Sequence, residues 1–332
     1  MNYLLFTDPH LVDNPIDEYR WGMFNELTRI ALQFKVSKIF CLGDLSDRKD
    51  RHSAVLVNRL VSTFSKLRSE TGSEVKIISG NHEQPVTGPY FWEFLTKTGI
   101  EYITKPKSED GIYFFPFSKN PVEDWKDFSF ISRVKAALMH QTGQGVRVEG
   151  DRLLAANNLP DFNGVPVFSG DVHRPQEVEG IFYIGTPYPI KFSETWDNRV
   201  VVIQNDDFTR PISVWLHSIK RAIIDITSSK ELNKLPYKKG DQIKIRYTLS
   251  GKQLSSWHEE EETIKKWASN KEIFLASLEP KFTGDGVQAS TNVEKLAFEL
   301  MSPDEVIKKF AADEKLSEDI LEVGKTLLRL CS

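Results

Sequence analysis

Cysteine is almost absent: Cys41 and Cys331 are the only two in 332 residues, far apart and outside any CxxC pair. Neither a disulfide framework nor a thiolate metal site is indicated, so any metal must be held by His, Asp, Glu or Asn. Long apolar runs are missing too. No stretch of about 18 uncharged apolar residues occurs, which excludes a membrane-spanning helix of the usual kind. The opening MNYLLFTDPH meets an acidic residue too early for a secretory signal, and the expected compartment is the cytoplasm. A surplus of positive charge is also lacking. Forty-three Lys and Arg stand against 47 Asp and Glu, a formal charge of −4, so bulk charge alone does not bind nucleic acid; a local patch or a partner must help. With 40% hydrophobic and 27% charged residues the chain is neither disordered nor fibrous, and its length suits one large domain plus a smaller one.

In the first half, short apolar runs alternate with helical patterns, the signature of an α/β domain in layers. Runs at 3–6, 38–42, 75–78, 136–139 and 165–168 read as buried strands, each ending at a polar or Gly-containing turn. Further strands are expected at 111–115, 181–184, 200–204 and 212–216. Helical spacing marks 17–34 and 53–67, the second with Ser53 as N-cap. After about residue 217 comes a β-α-β pattern: strand 242–249, helix 254–268 and strand 273–278. The stretch around Gly284, Asp285 and Gly286 reads as a linker, and two helical segments come after it, one opening on Ser302-Pro303-Asp304-Glu305.

Four of the seven histidines sit just beyond predicted strand ends, beside a carboxylate or an Asn. In order the motifs are Asp8 and His10 in DPH, Asp44 in GDLSD, Asn81 and His82 in GNHE, His140 in MHQ, and Asp171 and His173 in GDVH. Loops after the carboxyl ends of neighbouring strands share one rim, so five remote segments can meet there. Phosphodiester hydrolysis calls for this inventory, because two divalent cations about 3.5–4 Å apart neutralise the phosphate oxygens and acidify a water. Asp8, His10 and His173 are assigned to one ion, and Asn81, His140 and Asp171 to the other. Asp44 is the bridge between them, since its two oxygens can each face a cation. His82, adjacent to Asn81 but not counted as a ligand, is assigned to proton donation at the leaving oxygen.

DPH, GDLSD, GNHE, a lone His and GDVH, in that order, resemble the five motifs of the calcineurin-like metallophosphoesterases. Within that superfamily the chain is similar to the SbcD type, the nuclease subunit of double-strand-break repair complexes and its bacteriophage counterparts. Tyr183-Ile184-Gly185-Thr186-Pro187-Tyr188 followed by Lys191-Phe192-Ser193-Glu194 resembles the segment after the last metal motif in that subfamily. The motif resemblance covers residues 1 to about 205. It implies a layered α/β/β/α sandwich over 1–217, a β-α-β capping domain for DNA over 218–282, a linker over 283–291, and C-terminal helices over 292–332. It further implies a Mn²⁺-dependent exonuclease and endonuclease, with Mg²⁺ as the alternative ion. The expected partners are DNA, a second copy of the chain, and a coiled-coil ATPase of the SbcC type bound through the C-terminal helices, in a bacterial or phage-infected cell and away from membranes. One position departs from the family: Asp171 stands where a GHxH pattern usually has His. An oxygen ligand there makes that site harder and favours Mn²⁺ or Mg²⁺ over Zn²⁺.

Several residues carry competing readings. Asp47 is divided between supporting the site and facing solvent, and His52, in the basic loop with Arg48, Lys49 and Arg51, between a DNA-phosphate contact and a solvated loop. His140, a single His after an apolar strand, has a satisfied buried histidine as its rival reading. Residues 53–67 and 89–97 are the apolar candidates for a dimer face. Two rival functions remain: a small-substrate phosphodiesterase or phosphoprotein phosphatase on the same scaffold, and a non-catalytic scaffold that loads an ATPase on DNA.

Overall fold

Neighbouring residues of one strand enter different cores, which is why the strands of the first half read as unbroken apolar runs. Tyr3 and Leu5 point into one buried cluster while Leu4 and Phe6 point into another, as the two-residue period of a strand covered on both faces requires. The computed structural model describes residues 1–85, 87–127, 134–148, 151–154, 158–249 and 256–282.

Among the described residues, twelve strands build the larger part: β1 (Tyr3–Phe6), β2 (Lys38–Cys41), β3 (Glu74–Ile78), β4 (Glu101–Ile103), β5 (Lys107–Glu109), β6 (Ile112–Phe115), β7 (Ala136–His140), β8 (Val167–Gly170), β9 (Gln176–Val178), β10 (Ile181–Tyr183), β11 (Arg199–Ile203) and β12 (Ile212–Trp215). They form two six-stranded sheets, ordered β12-β11-β1-β2-β3-β4 and β5-β6-β7-β8-β10-β9. In the first, β1 to β4 run parallel and β11 and β12 add antiparallel. In the second, β6, β7, β8 and β10 run parallel, with β5 and β9 as antiparallel edges.

The layers result from side-chain alternation. Tyr3, Leu5, Phe40 and Ile78 of the first sheet meet Ile112, Phe114, Leu138 and Phe168 of the second in a shared core. The opposite face of the first sheet packs under helices α1 (Tyr19–Gln33) and α2 (Ala54–Thr71), which bury Phe24, Leu27, Ile30, Leu60, Phe64 and Leu67. Ser53 caps α2, its Oγ accepting the Leu56 N–H at 3.1 Å. A third cluster, with Phe115, Met139, Trp125 and Phe162, covers the outer face of the second sheet. The fold is therefore a layered α/β sandwich, as expected.

Helix α3 (Pro121–Asp124) is one turn. Beyond residue 217 a further three-stranded sheet, ordered β13 (Arg221–Ile226), β14 (Gln242–Leu249), β15 (Phe274–Phe282), accompanies helix α4 (Trp257–Asn270). Strand β13 is not anticipated by the β-α-β pattern, because its charges, Arg221 and Asp225, interrupt the apolar run. The chain divides into two units: residues Met1–Ile224, Lys234–Ile245 and Lys265–Ser277 form one, and Asp225–Asn233, Arg246–Ile264 and the described residues from 278 form the other. In the second unit Tyr247 packs edge-on against Trp257 at 5.2 Å, and Glu260 accepts the Ser229 N–H. The expected linker at 283–291 and helices at 292–332 lie outside the described residues. Among the described residues, no helix is long and apolar enough to cross a membrane.

Candidate metal centre

The backbone does not stop pairing where the strands end. Beyond β1 and β2 the loops stay zipped, Asp8 N–H to Gly43 O (3.0 Å), His10 N–H to Asp44 O (2.9 Å) and Leu11 N–H to Leu45 O (2.9 Å). Glu83 fastens the next loop: its buried carboxylate accepts the N–H groups of Asp44 (2.9 Å), Gly80 (2.8 Å) and Ser46 (3.3 Å). The second sheet is tied in through His140, whose Nδ1 lies 2.5 Å from Leu42 O. A carbonyl only accepts, so Nδ1 carries a proton and Nε2 is the nitrogen turned toward the carboxylates. The glycines of the motifs are dictated by this crowding. A Cβ on Gly43 would lie 2.2 Å from His140 Nδ1, and one on Gly80 2.2 Å from Asp44 Oδ1.

Asp8, His10, Asp44 and Asp171 all hold left-handed backbone angles, φ of 51°, 40°, 52° and 71°. Such conformations cost roughly 1–3 kcal/mol each and persist where surrounding structure imposes them. Their reward here is convergence. His10 Nε2 lies 3.3 Å from His173 Nε2, 3.9 Å from Asp8 Oδ1 and 3.5 Å from Asp44 Oδ2. On the other side His140 Nε2 lies 3.1 Å from Asn81 Oδ1, 3.3 Å from Asp44 Oδ1 and 3.7 Å from Asp171 Oδ1. Asp44 thus turns one oxygen to each group.

The structure brings together all seven residues assigned to ions, with His82 beside them. The His82 ring packs edge-on against His10 at 4.7 Å, and its Nδ1 lies 2.7 Å from Asp47 O. Its Nε2 is 4.0 Å from Asp44 Oδ2, and the side chain is 37% exposed. His52 stands apart from the cluster, its ring against Phe91 and Trp92 at 4.3 and 4.6 Å.

Asp47, undecided from sequence, faces the site: its Oδ1 lies 2.9 Å from His10 Nδ1, and Arg20 lies 3.6 Å from its other oxygen. His10, Asp47 and His82 also bring ligand atoms within 4.8 Å of one another. Three further supports are not assigned from the sequence. Glu83 and Glu194 stand inside the motif segments without a role, and Thr142, whose hydroxyl donates to Asp171 Oδ2 at 2.5 Å, gives no signal at all.

The electrostatics call for cations. Burial pushes the Asp8 carboxyl up against the pull of His140. Burial opposes ionisation of Asp44 as well, but the charge and hydrogen bond of His140 hold it well below the usual carboxylate range. Burial likewise disfavours a charged His140, yet Asp44 overcomes that and holds the imidazole well above its ordinary value. Glu83 is pushed up to about 8 by burial and by the Asp44 charge. Three carboxylates, Asp8, Asp44 and Asp171, have only histidines as ion-pair partners among the described residues, a field that positive charge relieves.

The donor set fits divalent ions. Asp8 Oδ1 is buried without a hydrogen-bond partner, and two imidazole Nε2 atoms meet at 3.3 Å. Asp8, His10 and His173 bring ligand atoms within 4.8 Å of one another, as do Asp8, Asp44 and His140.

The sequence model of the calcineurin-like phosphoesterases matches residues 1–273. No curated protein matches the chain. Among solved structures it is similar to a novel archaeal phosphodiesterase, at 10% identity and TM-score 0.37 over 65% of this chain and 100% of that one. It is also similar to the Pseudomonas putida nuclease MPE, at 13% identity and TM-score 0.31 over 64% of this chain and 87% of that one.

Proposed function

The chain belongs to the calcineurin-like phosphoesterase family, and we propose that within it the protein is a nuclease that hydrolyses DNA phosphodiesters at a pair of Mn²⁺ ions. The observation that carries the two-ion reading is Asp44, with Oδ2 toward the Asp8, His10 and His173 group and Oδ1 toward the Asn81, His140 and Asp171 group. Bound there, two divalent ions supply charge neutralisation at the phosphate and a more acidic attacking water.

The protein's own residues do the rest. Leu42 O and Glu194 fix the proton on Nδ1 of His140 and His173, so that both present Nε2 inward. His82, partly open to solvent and donating from Nδ1 to Asp47 O, acts as the imidazolium: it gives its Nε2 proton to the departing oxygen and is left as the neutral Nδ1–H ring. Oxygen donors from Asp44, Asn81 and Asp171 beside the single nitrogen of His140 suit Mn²⁺ or Mg²⁺ better than Zn²⁺.

DNA as substrate is supported by the resemblance of 183–194 to the SbcD type and by the strand-helix module after residue 217. An SbcC-type ATPase bound through 292–332, a homodimer, and work in break repair and recombination belong to the same proposal. The test compares linear duplex DNA with bis-p-nitrophenyl phosphate, with Mn²⁺ and with and without the ATPase. Cleavage of both, lost together in Asp44→Asn, is expected. Turnover of the small diester with DNA left intact, even with the ATPase, overturns the nuclease reading. Ion binding without turnover of either substrate favours a scaffold.

A further inference from the structure

His173 enters the cluster from the loop after β8, and its ring has two polar neighbours: Glu194 Oε1, 2.6 Å from Nδ1, and His10 Nε2, 3.3 Å from its own Nε2. The Glu194 carboxylate is not free to move. It is only 4% exposed; its other oxygen accepts the Ile190 N–H at 2.6 Å, and the carboxylate also accepts the Lys191 N–H. Its own N–H donates to Lys191 O, so the residue closes the turn that holds it.

That turn belongs to a strap fastened to both loops of the same half-site. Tyr188 Oη donates to Pro9 O inside the DPH motif, and Tyr19 Oη donates to Pro189 O at 2.7 Å. On the other side the Thr186 N–H donates to His173 O at 3.0 Å. One short segment, 186–194, therefore sets where the loops of His10 and His173 stand relative to each other and supplies the carboxylate that orients one of the two rings.

We infer that Glu194 is the positioning residue of the Asp8, His10 and His173 half-site, acting through the tautomer of His173. The reading rests on that half-site being a metal site. An ionised carboxylate has no proton to give, so the imidazole must donate from Nδ1, which leaves the Nε2 lone pair facing inward. Carboxylate partners of this kind fix the ring and raise its basicity as a ligand. Glutamine has the same shape and the opposite consequence. With the Ile190 N–H donating to Oε2, the oxygen turned away from His173, a Gln at 194 keeps its oxygen there and turns its NH₂ to His173 Nδ1. The ring must then carry its proton on Nε2, inside the 3.3 Å gap to His10. Alanine removes the acceptor without imposing the wrong tautomer.

The expected order of damage is therefore inverted relative to a packing role: Glu194→Gln harms ion binding more than Glu194→Ala, although Gln fills the space and Ala does not. The experiment is Mn²⁺ titration of the whole protein by calorimetry, together with ¹⁵N spectroscopy of the imidazoles at pH 9 without metal. In the parent, His173 carries its proton on Nδ1 and two ions bind. In Glu194→Gln the proton moves to Nε2 and one of the two ions binds about 10- to 100-fold more weakly, with a smaller loss in Glu194→Ala.

Glu194→Gln with parental affinity for both ions overturns the inference, as does an alanine variant worse than the glutamine one. If the parent takes up no Mn²⁺, the metal reading fails, and the parent's tautomer still decides whether Glu194 orients the ring. If the glutamine variant does not fold, a parental His173 protonated on Nε2 overturns the inference and one protonated on Nδ1 upholds it.

Discussion

The Nε2 atoms of His10 and His173 face each other at 3.3 Å, while each ring turns its other nitrogen to a carboxylate, Asp47 for His10 at 2.9 Å and Glu194 for His173 at 2.6 Å. Two imidazoles arranged this way direct lone pairs into one small space, which is unfavourable unless a cation shares it. With the unpartnered Asp8 Oδ1 at the same place, the half-site is built around positive charge.

His82 lies outside both ligand groups, so its removal separates chemistry from ion binding. In His82→Ala, kcat on DNA is expected to fall about 10²- to 10⁴-fold, with two Mn²⁺ ions still bound in calorimetry. A parental cleavage rate removes its role as proton donor.

Ion uptake is expected to expel protons. Asp44 holds the His140 imidazole well above its ordinary pKa, so at pH 7 the ring is charged, and a divalent ion must displace the proton from Nε2. Affinity should then weaken as pH falls, by about tenfold per pH unit for each proton displaced. Mn²⁺ titrations at pH 6, 7 and 8, in buffers of different ionisation enthalpy, measure the release directly. An affinity independent of pH contradicts the arrangement.

Away from the site, Glu109 is drawn down to about 2 by hydrogen bonds from Lys107 and Lys76, which also pairs with Glu101 at 2.6 Å. A carboxyl lowered in the fold contributes stability above its ordinary 4.5 and loses it as pH drops through 2. Acid unfolding should accordingly steepen between those values. Glu109→Gln should flatten that part of the pH curve while costing less than about 1 kcal/mol at pH 7, because the carboxylate is about 35% exposed and solvent screens the pair. Chemical denaturation across the pH series checks both, and an unchanged acid limb in the variant contradicts the pairing.

Legible in the sequence is whatever repeats a local rule. Strands β1, β2 and β7 announce themselves as apolar runs ending in a polar motif, and Ser53 is placed as a cap by residue type alone. Strand β14 matches its expected bounds, 242–249. Strand β13 is hidden because Arg221 and Asp225 break its pattern, and β8 lies two residues further on than the apolar run suggests, its end built from Ser169 and Gly170. In the site, His10, Asp44, Asn81 and His173 are visible because imidazoles, carboxylates and an amide recur just beyond predicted strand ends. Their supports are not. Glu194 acts on His173 from 21 positions away and Thr142 on Asp171 from 29, relations that exist only once β7, β8 and β10 lie side by side in the second sheet.

The most direct test is anomalous scattering from a crystal soaked in Mn²⁺. Two peaks are expected about 3.5–4 Å apart, one against Asp8, His10 and His173, the other against Asn81, His140 and Asp171, with an oxygen of Asp44 on each. A single peak, peaks elsewhere on the surface, or an Asp44 that touches neither ion would contradict the account.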